Sequence, residues 1–388
     1  MSEDWSSFEP IDENEEVITN LDIELIKSEI GKKFSFYDFK VQPNVVAFFC
    51  RVDPETLDED FDSLRISLLE KGYIPMIRYE QGEHIIYVIP KPKARIRSKW
   101  VNVALFLATI FTTVLAGSML FTSGQEFNWF QIFALDNLLK GWFFFSLPLM
   151  SILGIHELGH YFASKRHKVK TTLPYFIPFP PNPFLPLGTM GAVISTKEPI
   201  PDRKALLDIG VAGPICGFIV AVPVLIIGLM MSNVIAISQI PKESVSLGEP
   251  PLITILIKLM FNLQQDYTVK LHPTAFAGWV GLLVTAINLL PVGQLDGGHI
   301  ARAVLKEKHK YLSWAAVFLL FVWGLKRSID LKGISTWLFF AWILLFLMGL
   351  QHPPPLNELT HLDVKRKLLV FVSLAIFILS FAPIIFSS

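Results

Sequence analysis

From about residue 100 onward the chain returns again and again to apolar runs about as long as a bilayer is thick. They lie near 101–121, 140–163, 205–231, 273–297, 311–325, 334–350 and 368–388. A spanning helix needs roughly twenty apolar residues, and most of these runs meet that length, with 311–325 and 334–350 the shortest. The chain of 388 residues is 52% hydrophobic and only 18% charged, and it holds 32 Phe, more than a soluble domain of this size would need. The expected fold is a polytopic α-helical membrane protein of about seven transmembrane helices. A further run, Pro251–Phe261, is too short to span and is expected to lie at the interface or to be re-entrant.

The first hundred residues are different. Residues 1–16 carry seven acidic and no basic side chains, opposite to a signal peptide, and are expected to form a solvated acidic disordered tail. Residues 17–95 are expected to form a small soluble α+β domain. Asn20 is placed to cap a helix through Ile23, Ile26 and Ile30, and Asp53-Pro54 to start a second helix with Leu57, Phe61, Leu64 and Leu68 on one face. Strands are expected around Phe34–Phe36 and Val45–Val52, and Gln81-Gly82 joins Tyr73–Tyr79 to His84–Pro90 as a hairpin. Lys91, Lys93, Arg95, Arg97 and Lys99 precede the first span, and the loop 122–139 has no Lys or Arg. Basic residues favour the cytoplasmic side, so the soluble domain is expected there. Lys165–Lys170 and Arg302–Lys310 fit that orientation, whereas Lys326, Arg327 and Lys332 run against it.

Formal net charge is zero, which gives no sign of nucleic-acid binding, and Cys50 and Cys216 offer neither a disulfide framework nor a thiolate metal site. The chemistry lies in the second apolar run. Residues 156–160 read His-Glu-Leu-Gly-His, and on a helix His156 and His160 project from one face toward a shared metal ion, with Glu157 beside them to accept a proton from metal-bound water. Ionisable groups in an apolar helix are costly unless they have a task. Catalytic zinc takes three protein ligands, and Asp296 in Asn288-Leu-Leu-Pro-Val-Gly-Gln-Leu-Asp-Gly-Gly-His is the candidate third. His156 lies about sixteen residues into its run and Asp296 about twenty-three into another, so at 1.5 Å per residue both fall toward the cytoplasmic half. His299 is the rival ligand or else a solvated interfacial side chain. Asn288 could bond a substrate carbonyl or a developing oxyanion, or could link two helices.

These two motifs, in this order and both on apolar segments, resemble the site-2 protease (peptidase M50) family of intramembrane zinc metalloproteases over roughly 140–305. The H-E-x-G-H motif is matched by His156–His160, and N-x-x-P…L-D-G by Asn288, Pro291, Leu295, Asp296 and Gly297. The resemblance implies one zinc ion per chain on His156, His160 and Asp296, with Glu157 as catalytic base and Asn288 as a substrate or transition-state contact. It also implies a catalytic transmembrane core over 100–310, and 311–388 would supply additional C-terminal spans. Gly188–Thr196 is similar to the family's membrane-associated β-hairpin region. No segment resembles a PDZ domain, and the soluble N-terminal domain with extra C-terminal spans looks closer to chloroplast-type and archaeal members.

The expected function is therefore hydrolysis of peptide bonds in transmembrane protein substrates within the lipid bilayer, by zinc-bound water that Glu157 activates, the active site facing the cytoplasmic side. A transmembrane helix must unwind first, and an edge strand in 187–197 could hold it by strand addition. The proline-rich stretch Pro174–Pro186 is either a rigid cover or a spacer, and His352-Pro-Pro-Pro an inter-helix turn. Two alternatives stay open. A prenyl-protein-processing type of membrane zinc protease would need a downstream Glu as third ligand, yet Glu198, Glu243, Glu249, Glu307 and Glu358 all fall in expected loops. A metal transporter or inactive adaptor fits less well with Glu157 retained and with no other intramembrane acid or His.

Overall fold

A computed structural model describes residues 21–92, 98–122, 129–181, 186–240, 246–331, 335–345, 349, 352–382 and 386–387. The acidic tail and Asn20 lie outside the described residues, as does part of the basic stretch. The chain divides into two compact units, Met1–Ala94 with Leu356–Thr360, and Arg95–Pro355 with His361–Ser388.

In the first unit, α1 (Ile23–Gly31), β1 (Ser35–Gln42), β2 (Val45–Arg51), α2 (Leu57–Glu70), β3 (Tyr73–Glu80) and β4 (Glu83–Pro90) make an antiparallel sheet of order β1-β2-β4-β3 carrying two helices. Asp22, whose side chain accepts from Leu25 N–H, caps α1. The start of α2 also differs from expectation: Asp53 Oδ1 accepts from Glu55 N–H in a turn, and the helix begins at Leu57. Alternation along β2 sends Val46, Phe48 and Cys50 into the core with Ile26, Ile30, Phe61, Leu64 and Leu68, while Val45, Ala47 and Phe49 face the other side. Burial pushes the Cys50 thiol up to about 12, so it is an inert packed group. Gln81 and Gly82 both have positive φ, the primed turn whose twist suits a two-residue hairpin. The long-range segment Leu356–Thr360 joins this unit at β3. Ile77 N–H donates to Leu356 O at 2.9 Å, Ile77 and Asn357 form a parallel bridge, and Leu356, 2% exposed, completes the core.

The second unit is helical. It runs through α3 (Lys99–Thr122), α4 (Trp129–Ile132), α5 (Leu135–Gly141), a π-turn at Trp142–Ser146, α6 (Leu147–Arg166), β5 (Tyr175–Pro178), β6 (Thr189–Val193) and α7 (Arg203–Met230). It continues with β7 (Asn233–Ala236), β8 (Ser246–Leu247), α8 (Pro251–Met260), β9 (Tyr267–Lys270), α9 (Pro273–Asn288), α10 (Asp296–Leu305), α11 (His309–Leu331), α12 (Thr336–Ile343), α13 (Val364–Ser380) and β10 (Phe386–Ser387). The π-turn shifts the helix bonding frame, and Thr274 Oγ1 donates to the Phe144 carbonyl at 2.8 Å there.

Among the described residues four helices are long and apolar enough to cross a membrane: Lys99–Thr122, Leu135–Arg166, Arg203–Met230 and Asp296–Asp330. That is fewer than the seven apolar runs. The run 273–297 is not one helix: α9 stops at Asn288 after 16 residues, and Asp296 opens a new one. Pro291 has no N–H to extend the ladder, and Gly293 turns the chain at φ 51°. The described helices within 334–350 and 368–388 are α12, of 8 residues, and α13, of 17. β5 and β6 form a two-stranded antiparallel sheet, so part of the proline-rich stretch is strand, as an edge.

Candidate metal centre

α6 is held between α7 and α9, and α10 lies against α7. The contact between α6 and α7 is close because glycines line it. A Cβ on Gly159 would fall 2.7 Å from the Ala212 carbonyl oxygen. A Cβ on Gly213 would fall 2.0 Å from His160 Nε2, and one on Gly217 would fall 3.0 Å from His156 Nδ1. Gly213 and Gly217 form a Gly-x-x-x-Gly pair whose missing side chains leave the space the two imidazoles fill. This cradle was not anticipated, although the spacing is readable in the sequence.

Asp296 reaches the same place by another route. After α9 ends at Asn288, short bonds from Leu290 N–H to Ile287 O, Val292 N–H to Leu290 O and Leu295 N–H to Val292 O fold 289–295 into a tight turn. α10 then packs back on that turn. A Cβ on Gly297 would meet the Leu289 oxygen at 2.1 Å, and one on Gly298 the Gly293 oxygen at 2.2 Å. The two glycines after Asp296 are therefore required by the fold. Asp296 itself, as the first residue of α10, sets its carboxylate at the positive end of the helix dipole. The expected placement, toward the inner end of one continuous span, is corrected to the first turn of a separate helix.

His156, His160 and Asp296 come together. His156 Nε2 lies 3.3 Å from Asp296 Oδ2, His160 Nε2 lies 3.2 Å from Asp296 Oδ1, and the two Nε2 atoms are 3.1 Å apart. A tetrahedral site with bonds of roughly 2.0–2.2 Å has ligand–ligand edges of roughly 3.3–3.6 Å, so the two Nε2 atoms and the carboxylate stand within a few tenths of an ångström of that spacing. His160 Nδ1 lies 2.8 Å from the Ile209 carbonyl, which can only accept, so the proton sits on Nδ1 and Nε2 presents its lone pair inward. Lone pairs from α6 and a carboxylate from α10, with glycines of α7 clearing the space, are a donor set suited to a divalent cation.

Glu157 is buried on the same helix, 6% exposed. Asn288 Nδ2 stands 3.3 Å from His156 Nε2, so the last residue of α9 puts its amide at the edge of the ligand set. His299 does not join it. Its Nδ1 lies 3.0 Å from Leu295 O and 3.2 Å from His352 Nε2, and the His299 and His352 rings are 4.5 Å apart. It is part-buried, not the solvated interfacial side chain expected from the sequence, and its partner lies 53 residues away.

β6 lies against α6, and its outer edge has no strand partner among the described residues. Gly188 and Gly191, at φ 72° and 97°, give it its shape.

Comparison with known proteins agrees with this geometry. Residues 144–323 match the family described as Peptidase family M50. The probable zinc metalloprotease EGY1, chloroplastic, of Arabidopsis thaliana is 33% identical over 257 residues, 62% of this chain and 43% of that protein. The probable zinc metalloprotease EGY2, chloroplastic, of Oryza sativa subsp. japonica is 28% identical over 293 residues, 73% of this chain and 50% of that protein. The chain thus spans half or less of the length of these curated relatives. No solved structure matches. Residues 144–323, which hold both His156–His160 and Asp296, thus match peptidase family M50, and the chain is similar to the chloroplast EGY zinc metalloproteases.

Proposed function

We propose that this protein is an intramembrane zinc metalloprotease that cuts peptide bonds of transmembrane protein substrates. The observation that carries the proposal is the convergence of His156 and His160 from one helix with Asp296 from another at near-tetrahedral spacing, with Glu157 buried beside it in a helix long and apolar enough to span a membrane. His156, His160 and Asp296 would hold one zinc ion per chain. When bound, zinc supplies a Lewis acid and a water acidified to a pKa of roughly 7. Glu157 takes the proton of the attacking water and returns it to the leaving amine. Asn288 directs an amide N–H at the carbonyl oxygen as charge develops on it. The outer edge of β6 binds the unwound substrate as an added strand, its main-chain bonds replacing those lost from the substrate helix.

A carboxylate from Asp296 on the histidine pair, in place of a downstream Glu, favours the site-2 type over the prenyl-protein-processing type. The loop charges support a multi-pass protein with its N-terminal domain and active site toward the cytoplasmic side. The test is proteomics of membrane-protein fragments with wild type against Glu157→Gln. Fragments should vanish in the variant while zinc is retained, and cleavage at the wild-type rate would overturn the proposal. Proline at positions 190 and 192 should cut cleavage without removing zinc; unchanged cleavage would remove β6 from the mechanism.

A further inference from the structure

The hydrogen bond from His160 Nδ1 to the Ile209 carbonyl fixes which nitrogen of that ring is free for metal. Ile209 lies in the second turn of α7, so its carbonyl direction depends on the rotation and height of α7 at that turn. The preceding residue, Asp208, ties that turn to two other helices. Arg366 grips its carboxylate with both arms, Nε to Oδ1 at 2.9 Å and Nη2 to Oδ2 at 2.5 Å, and His167 Nε2 meets Oδ2 at 2.8 Å. His167 is the residue at which α6, the helix of His156 and His160, ends. Arg366 belongs to the first turn of α13, where Asp363 accepts its backbone N–H at 2.8 Å and also pairs with Nη1. Three helices are thus tied at one carboxylate, one residue from the carbonyl that orients His160. The Asp208 side chain is 21% exposed and Arg366 20%, so the pair is largely shielded, and its forked geometry matters more than its charge alone.

We propose that Arg366 is a positioning residue for the metal centre: through Asp208 it holds α7 so that the Ile209 carbonyl keeps His160 in the metal-binding tautomer and orientation. Arg366 lies beyond residues 144–323, the part that matches the family, so α13 is a working part of the metal centre and not an appendage. The inference rests on the metal-site reading above, and wild-type protein that binds no zinc would defeat that reading rather than this one.

The experiment uses the full chain purified in detergent, with Arg366→Gln, Arg366→Lys, Asp208→Asn and the Asp208→Asn/Arg366→Gln double variant. Zinc affinity is read by chelator competition, ligand geometry by the visible spectrum of the cobalt-substituted protein, and folding by thermal unfolding of the metal-free form. Loss of an outer partner of a metal-bound His weakens binding roughly 10- to 100-fold. Arg366→Gln should fall in that range with an altered cobalt spectrum, and the double variant should be no worse than the weaker single. Arg366→Lys keeps the charge and loses the fork, so it should also shift the spectrum and serves if the Gln variant does not fold. Zinc affinity within threefold of wild type and an unchanged cobalt spectrum in a folded Arg366 variant would overturn the proposal. So would losses that simply add in the double variant.

Discussion

Replacing Gly213 by Ala should empty the metal centre without harming the fold. The added Cβ would stand 2.0 Å from His160 Nε2 and 2.5 Å from its Cδ2 and Cε1, where ordinary contact begins near 3.4 Å. The imidazole must therefore withdraw by about 1.4 Å, several times the roughly 0.2 Å tolerance of a metal–ligand bond. Backbone motion cannot share the shift easily, because the same helix faces α6 across Gly159, already tight against the Ala212 carbonyl. Losing one of three ligands should cost at least about a hundredfold in zinc affinity, or about 2.7 kcal/mol. Helix propensity runs the other way, since Ala in a helix interior is favoured over Gly by about 1 kcal/mol. The metal-free variant should thus unfold at or above the wild-type temperature. Gly217→Ala provides the graded control: its Cβ meets His156 Nδ1 at 3.0 Å, a shift of a few tenths of an ångström, so it should lose about tenfold or less. Zinc content by mass spectrometry and chelator competition reads both. Zinc bound by Gly213→Ala within threefold of wild type would refute the reasoning, as would Gly217→Ala proving the more damaging.

Asp296→Asn should lose zinc, whereas His299→Ala should keep it, since Asp296 faces both histidines and His299 Nδ1 is occupied by Leu295 O and His352; metal analysis of the two purified variants decides this. In the first unit Lys32, Lys71 and Ser67 hold the Glu29 carboxyl at about 2, below the ordinary 4.5. That contribution to stability is complete above pH 4.5 and is lost as pH falls toward 2. Glu29→Gln should flatten the acid limb of the unfolding curve over that window, read by circular dichroism. Leu356→Ala removes a 2% exposed side chain from the same core and should destabilise this unit by about 2–5 kcal/mol, measured by denaturant unfolding.

The sequence made some of this readable because the relevant signal was periodic. Leu57, Phe61, Leu64 and Leu68 share one helical face and are all buried, and the four-residue spacing of His156 and His160 does place both rings on one site. Chemistry singles out Asp296 in the sequence, but hydropathy averages across the turn at 289–295 and hides its setting at the start of a separate helix. The breaking signal was present in Pro291 and Gly293, close after Asn288. Gly213 and Gly217 were equally visible as a spacing, but their meaning depends on which helix lies opposite. The ties from Arg366 to Asp208 and from His352 to His299 bridge 158 and 53 residues and leave no local trace. Such contacts follow from tertiary packing alone.

Leu356–Thr360 bears on how the N-terminal unit can be handled. A fragment of residues 21–92 would leave the β3 edge bare where Ile77 N–H now donates to Leu356 O, and would open a leucine-sized gap in its core. An unprotected edge strand beside exposed apolar surface invites pairing between copies. Excised alone, this unit should self-associate. Supplying a peptide of residues 352–362 in trans should restore the monomer.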